Sequence, residues 1–350
     1  MFEIFLISLP RNVQSHLENF SNELIYEIFG YLDYQSICYA FWNLNVRFQG
    51  LILHPSFRIK IYVPLICQEK FEEQRRHLLQ IDSCRVISLH MTHSFLTWFT
   101  LDLFPNLEYL NLQQLQWEQL QKLLHHLSSL SHLRSLVIET MNYFQDENIV
   151  YRKILSIKTL KFVRLQFPSG GQRIPLPLCH EPNTLLERLI IQGPCRLEQL
   201  ISILSYTTNL RYLSCEYLNG CDQDGVPLSR LTTELEYVSL KIYQISFQQM
   251  EPFLSILSNK LHRLRIVVDH DQSYFQANQW EKLIQNSMPH LTCFDFDYVQ
   301  PADENDSIVQ NSIAAFTASF WIEHGFQFGY DYFIDDDISF LKFYSIVPYR

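Results

Sequence analysis

The chain has 350 residues, of which 47% are hydrophobic and 18% charged, so it can bury a large core and is not disordered as a whole. Glycine and proline number only 9 and 14, which excludes collagen-like and low-complexity linker sequences. Lysine and arginine total 27 against 37 acids, a net charge of −10, which argues against generic binding to a phosphate backbone.

The length suits two or three units, or one elongated repeat array. Aromatics are abundant, with 5 Trp, 19 Tyr and 26 Phe, and serve both cores and interfaces. The cysteines, Cys38, Cys67, Cys84, Cys179, Cys195, Cys215, Cys221 and Cys293, form no C-x2-C pair. They read as small buried hydrophobes in a reducing compartment. The first ten residues are apolar but lack a positive n-region, and no stretch is long and apolar enough to span a bilayer. The expected location is cytoplasmic or nuclear.

In chain order, residues 1–16 form an N-terminal extension and residues 17–60 a small helical domain. Residues 17–53 read LENFSNELIYEIFGYLDYQSICYAFWNLNVRFQGLIL. Leu24, Ile28 and Leu32 recur every four residues, with Ile25 and Phe29 beside them, which predicts an amphipathic helix. Ser21 is its expected N-cap, Glu23 favours its first turn, and Gly30 weakens its end. Asp33 caps a second helix carrying Ile37, Ala40 and Phe41. Leu44, Phe48, Leu51 and Ile52 predict a third. Three helices this short bury little core alone, so such a unit often leaves an apolar face for a partner.

This stretch resembles an F-box. Glu23, Leu24, Ile28, Phe29, Leu32 and Asp33 fill the first part of that family's pattern, and Ile37, Phe41, Leu44, Arg47 and Phe48 fill the rest. Phe20-Ser21 stands where the family carries Leu-Pro, and Phe48 where it closes with tryptophan, although Trp42 lies nearby. The resemblance implies that Phe20, Leu24, Ile28, Phe29, Leu32, Ile37, Phe41, Leu44 and Phe48 contact a Skp-type adaptor.

Residues 61–83 read as a linker or as the first helix of a repeat array. Residues 84–300 repeat. The template L-x-x-L-x-L, with other apolar residues allowed, begins at Cys84, Leu107, Leu133, Leu160, Leu186, Leu210, Leu235, Leu261 and Leu291. The copies are spaced by about 26 residues, inside the roughly 20–29 of leucine-rich repeats. Apolar fourth and sixth positions make each copy a short strand. Helix-like stretches at 118–127, 197–206, 248–257 and 279–286 separate them. Strand, helix and return strand predict parallel strands joined by right-handed crossovers. The fold class is therefore α/β: a three-helix unit, then a leucine-rich-repeat-like solenoid of about nine repeats, strands concave and helices convex.

The second template positions, Arg85, Glu108, Arg134, Lys161, Glu187, Arg211, Glu236 and His262, nearly alternate in sign, which favours neighbouring strands. The family's asparagine or cysteine at the ninth position is absent: Thr92, Leu115, Met141, Pro168, Pro194, Leu218, Tyr243, Asp269 and Val299 stand there. The repeats thus resemble the family in period and strand core only.

The third and fifth template positions should face the concave side. The third are Val86, Tyr109, Ser135, Phe162, Arg188, Tyr212, Tyr237, Arg263 and Cys293. The fifth are Ser88, Asn111, Val137, Arg164, Ile190, Ser214, Ser239, Arg265 and Asp295. Tyrosine and arginine are enriched at binding hot spots. The expected substrate face is therefore Tyr109, Phe162, Arg164, Arg188, Tyr212, Tyr237, Arg263 and Arg265. It suits an acidic or phosphorylated peptide, or else simply solvates an open sheet.

Other motifs are weak. Asp222-Gln223-Asp224-Gly225 lacks the remaining ligands of an EF-hand loop and reads as a solvated turn. His90 with His93, and His125 with His126, have no companion ligands at metal-binding spacing. Asn19-Phe20-Ser21 and Asn305-Asp306-Ser307 match the glycosylation pattern by chance in a protein without a secretory signal. No nucleophile elbow, P-loop, zinc-protease or dinucleotide motif occurs, so the chain is not expected to be an enzyme and needs neither metal nor cofactor.

Residues 301–350 read as a C-terminal cap: a helix over 307–323, then a hairpin. Its strands carry Phe326, Phe328, Tyr330, Tyr332 and Ile334, then Ile338, Phe340, Lys342, Tyr344 and Ile346. Asp335-Asp336-Asp337 makes the turn. The hairpin could also offer an edge to a partner strand. Together the resemblances imply a substrate receptor of an SCF-type cullin–RING ubiquitin ligase, with F-box, leucine-rich repeats and a protein substrate, and without nucleic acid or membrane. A second reading is a ligase-independent scaffold in which residues 17–53 only cap the solenoid.

Overall fold

The computed structural model describes residues 17–63, 81–92, 100–142, 147–168, 185–220, 234–257, 259–302, 306–336 and 338–346. The N-terminal extension, most of the 61–83 linker, Cys67, Cys179, Cys221, His93 and the 222–225 loop lie outside the described residues. The chain divides into two compact units, Met1–His90 and Met91–Arg350.

The first unit holds α1 (Asn22–Gly30), α2 (Tyr34–Phe41), α3 (Val46–Leu53), β1 (Ile59–Val63) and residues 86–90 of β2 (Val86–Thr92). Each helix begins where a short polar side chain satisfies an orphan backbone N–H. Ser21 Oγ accepts from Leu24 N at 3.5 Å and Asp33 Oδ1 from Ser36 N at 3.0 Å, both as expected. Asn45 Oδ1 accepts from Phe48 N at 3.1 Å, a cap the sequence did not single out. Ile25, Phe29, Ile37, Phe41, Phe48 and Ile52 are buried between the helices. Phe29 meets Phe41 edge-on at 5.0 Å, and Phe41 lies 5.5 Å from Phe48.

Arg85 departs from its expected place in an alternating row of surface charges. Its side chain is buried, and the guanidinium donates to Ile52 O at 2.6 Å and Phe57 O at 3.1 Å. The last carbonyls of a helix lack intrahelical donors, and α3 ends just after Ile52. A fixed cation with several donors satisfies such groups well.

The second unit alternates strands with helices. The strands are β3 (Tyr109–Leu115), β4 (Ser135–Thr140), β5 (Phe162–Gln166), β6 (Arg188–Arg196), β7 (Tyr212–Asn219), β8 (Tyr237–Tyr243), β9 (Arg263–Asp269), β10 (Cys293–Pro301), β11 (Phe328–Asp335) and β12 (Ile338–Ser345). The helices are α4 (Trp117–Leu127), α5 (Glu147–Leu155), α6 (Leu197–Ser205), α7 (Phe247–Ser255), α8 (Ala277–Ser287), α9 (Ser307–Ala315) and α10 (Ser319–Glu323). Strands β3 to β10 pair in sequence order, every pair parallel. The four expected helices are present as α4, α6, α7 and α8. Helix α5 is additional, and buries Val150, Tyr151, Ile154 and Leu155 as one stripe.

The template explains the register. First-position residues Leu107, Leu133, Leu160, Leu186, Leu210, Leu235, Leu261 and Leu291 are all buried. So are the fourth- and sixth-position pairs, such as Leu110 with Leu112, Val238 with Leu240, and Phe294 with Phe296. In β8 buried and half-buried residues alternate strictly, so one sheet face is core and the other is open. The core face packs on helices: Trp280 of α8 lies 5.0 Å from Phe294 and 5.6 Å from Phe296. Burying one leucine contributes roughly 2 kcal/mol. A surface ion pair contributes about 1 kcal/mol at most, so the buried ladder sets the register. The charged row adds only Lys161–Glu187 at 3.1 Å and Arg211–Glu236 at 3.6 Å among the described ion pairs.

Several placements differ from the sequence reading. Val86, a third-position residue, is buried and not on an open face, and the fifth-position residues Asn111, Val137 and Ile190 are buried too. Cys84 is exposed, while Cys38 and Cys293 are half-buried and Cys195 and Cys215 buried; all five are free thiols. The predicted helix over 307–323 is two helices, because Ala318 is extended and starts α10. That break lets Phe316 and Trp321 enter one cluster, their rings 5.1 Å apart.

The C-terminal hairpin forms, turning at Asp336 with φ of 46°. Its second strand joins the sheet: β12 pairs antiparallel with β10, and β11 lies outermost. Leu341 and Phe343 of β12 enter the core. The ninth-position loops are replaced by longer strands; β7, β8 and β9 run to Asn219, Tyr243 and Asp269. Among the described residues no helix is long and apolar enough to cross a membrane.

Trp280→Ala is expected to destabilise the second unit by about 3–5 kcal/mol through the void left against Phe294 and Phe296. Asn45→Ala, which removes the α3 cap and an exposed hydrogen bond to Glu18, is expected to cost about 1–2 kcal/mol. Chemical denaturation of both variants checks the ranking.

Candidate ligand-binding face

The nine predicted adaptor contacts divide by burial. Phe29, Ile37, Phe41 and Phe48 are at most 8% exposed and hold the three helices together. Phe20, Ile28 and Leu32 are half-buried. Leu24 and Leu44 are about half exposed, at 48% and 52%. Tyr31, Tyr39, Val46 and Leu53 add further exposed apolar surface in this unit. The sequence did not single these out because they lie off the buried stripe. Arg47 fixes the approach to α1: it donates to Glu18 O and Phe20 O, both at 2.6 Å, and to Asn22 Oδ1.

The predicted substrate residues assemble on the open face of the second unit. In-register pairing aligns Tyr109, Ser135, Phe162, Arg188, Tyr212, Tyr237, Arg263 and Cys293 as successive partners across the strands. From Phe162 to Arg263 their side chains make a continuous ladder. Arg188 lies over the Tyr212 ring at 4.7 Å and over Phe162 at 5.9 Å. Tyr212 and Tyr237 stack with centroids 4.4 Å apart and planes within 4°. Arg263 lies over Tyr237 at 5.6 Å. Arg164, one alternate position along β5, also lies over Phe162 at 5.9 Å. Such rows form because parallel strands bring equivalent residues within about 4.8 Å of each other. Tyr109 begins the row, its hydroxyl 3.4 Å from Asn111 Nδ2. Burial, then the adjacent Tyr212, raises the Tyr237 phenol above its ordinary value, so it stays neutral at physiological pH.

A second row was not anticipated. Tyr217 and Tyr243 stack at 5.5 Å, and Lys241 lies over Tyr243 at 5.2 Å. Lys241 also approaches Asp269 at 3.8 Å, and Gln192 donates to Glu216 at 2.9 Å. In β8 the period-2 alternation runs on past the template through Lys241 and Tyr243, but in β7 the register shifts between Cys215 and Leu218 and turns Tyr217 outward, which a period-2 reading does not show.

No protein-family model matches the chain. No curated protein matches its sequence.

The face offers rigid aromatic planes and guanidinium donors. Among the described residues no group of three histidine, cysteine or carboxylate side chains is placed to hold a metal. His90 packs edge-on against Tyr62 at 4.5 Å, and His126 pairs with Asp102 at 2.9 Å. What the face can do chemically is bind: stack on a ring, and donate hydrogen bonds to an anion.

Tyr212→Ala should abolish the coupled near-ultraviolet circular dichroism of the Tyr212–Tyr237 pair. It should lower stability by only about 0.5–1.5 kcal/mol. A loss of several kcal/mol on urea denaturation would show the pair to be a buried structural element.

Proposed function

We propose that the chain is a non-catalytic substrate receptor of an SCF-type cullin–RING ubiquitin ligase. In this reading the helical unit is an F-box that docks a Skp-type adaptor. The repeats coil as a solenoid of leucine-rich type, and the open strand face, concave in that arrangement, holds a protein substrate. The receptor does no chemistry; it raises the substrate's effective concentration near the ubiquitin-loaded enzyme.

The observation that carries the reading is the exposed apolar surface of a very small helical unit. Leu24, Leu44, Tyr39, Val46 and Leu53 are all 48% exposed or more, in a unit whose own core is already filled by Phe29, Ile37, Phe41 and Phe48. Apolar surface left open beside a complete core supports an interaction role for this unit. The F-box pattern places Leu24, Ile28 and Leu32 on that surface.

One contact favours the scaffold reading instead. Arg85 binds the carbonyls of Ile52 and Phe57, so the chain entering β2 is fastened to the end of the helical segment. A purely capping role for residues 17–53 would use such a fastening.

A pull-down with purified Skp-type adaptor separates the two. Wild-type chain is expected to bind, and Leu24→Asp or Ile28→Asp to weaken binding at least tenfold, with thermal unfolding of the second unit unchanged. Full binding by both variants would sink the assignment of this helix. No binding by the wild type would overturn the receptor reading and favour the scaffold.

A further inference from the structure

The four arginines of the open face are not equivalent. Arg263 and Arg265 both reach Asp295, whose side chain is only 14% exposed, with Oδ2 at 3.8 Å and 3.4 Å. Asp295 lies beside them on β10, as the in-register partner of Arg265, so its carboxylate is held between two guanidiniums that are themselves half-buried. One of the two charges at that end of the ladder is balanced internally.

The other end is not. Arg164 and Arg188 are exposed, and each guanidinium carbon lies 5.9 Å from the same Phe162 ring centroid. Among the described residues neither has a carboxylate within salt-bridge distance. The nearest acid in sequence, Glu187, is taken by Lys161 at 3.1 Å. Strand pairing fixes the two: Phe162 is the in-register partner of Arg188, and Arg164 that of Ile190. Two guanidiniums flanking one ring, on neighbouring strands of a chain with net charge −10, form a local cationic site in an acidic molecule. Tyr212 and Tyr237 continue from Arg188 as a flat stacked surface.

We infer that Arg164 and Arg188 form the anion-binding subsite of this face, and that its ligand is a peptide whose phosphate or carboxylate group they share. The adjoining tyrosines take the peptide's flanking side chains. Phe162 holds both guanidiniums by its π-face, so little side-chain freedom is lost when the anion arrives. Arg263 and Arg265 contribute packing, and their guanidiniums are already engaged by Asp295, which balances one of the two charges. The inference deepens the reading of this face as a substrate surface and does not depend on the adaptor.

The test uses the full chain without adaptor, so its failure is separate from that of the adaptor pull-down. Three fluorescent probes are compared by anisotropy at low and moderate salt. They are a degenerate peptide pool with a fixed central phosphoserine, the same pool unphosphorylated, and a short poly-glutamate. Oligothymidylate is a fourth. The phosphoserine pool or poly-glutamate should bind at least tenfold more tightly than the unphosphorylated pool, and which of them does so separates the two anion sources. Arg164→Gln and Arg188→Gln should each remove most of that preference, whereas Arg263→Gln and Arg265→Gln should change it less than twofold. Equal losses from all four variants, no preference for either anionic peptide, or tighter binding of oligothymidylate would each overturn the inference. Arg188→Lys, which keeps the charge but loses the planar fork, should retain only part of the affinity.

Discussion

Buried aliphatic side chains at three fixed positions of nearly every strand hold the second unit in register. Leucine, isoleucine or valine at those positions excludes water from between sheet and helices, and a slip of one residue would turn the whole set outward. The order on the opposite face is a consequence. Because the buried set is locked, Phe162, Arg188, Tyr212, Tyr237 and Arg263 must stand side by side. The open face has a geometry that its own weak contacts could not impose.

This division explains how far the sequence could be read. The L-x-x-L-x-L spacing locates the first residue of every strand from β3 to β10, because hydrophobic burial is local, periodic and strong. Caps such as Ser21 and Asp33 are legible for the same reason: their partners lie within one turn. The contacts of Arg85 were not legible, since its acceptors at Ile52 and Phe57 lie far back in the chain. Nor was the unequal state of the four arginines. Their residue types are the same, and only the neighbouring Asp295 distinguishes one pair from the other.

The two units place their apolar surface differently. The helical unit fills a compact aromatic core and still leaves Leu24, Tyr39 and Val46 in solvent. The strands β3 to β10 bury most of their aliphatic residues and leave planar and charged groups on the open face, while the exposed aliphatics of the second unit, such as Ile308, Ile322 and Ile334, lie outside those strands. In the receptor reading the first supplies nonspecific adhesive area to a constant partner. The second supplies orientation-dependent contacts suited to choosing among ligands.

The hairpin has a consequence for how such a chain can evolve. Strand β12 enters beside β10 in the opposite direction, and its Phe343 closes over Phe275, Phe296 and Phe316 while Leu341 is buried beside it. A further strand–helix repeat cannot be appended at that edge, because its parallel partner is already occupied. Any lengthening of the array has to come from duplication inside it, between strands that already share a register. Growth there would leave the terminator untouched and would lengthen the arginine and tyrosine row one rung at a time.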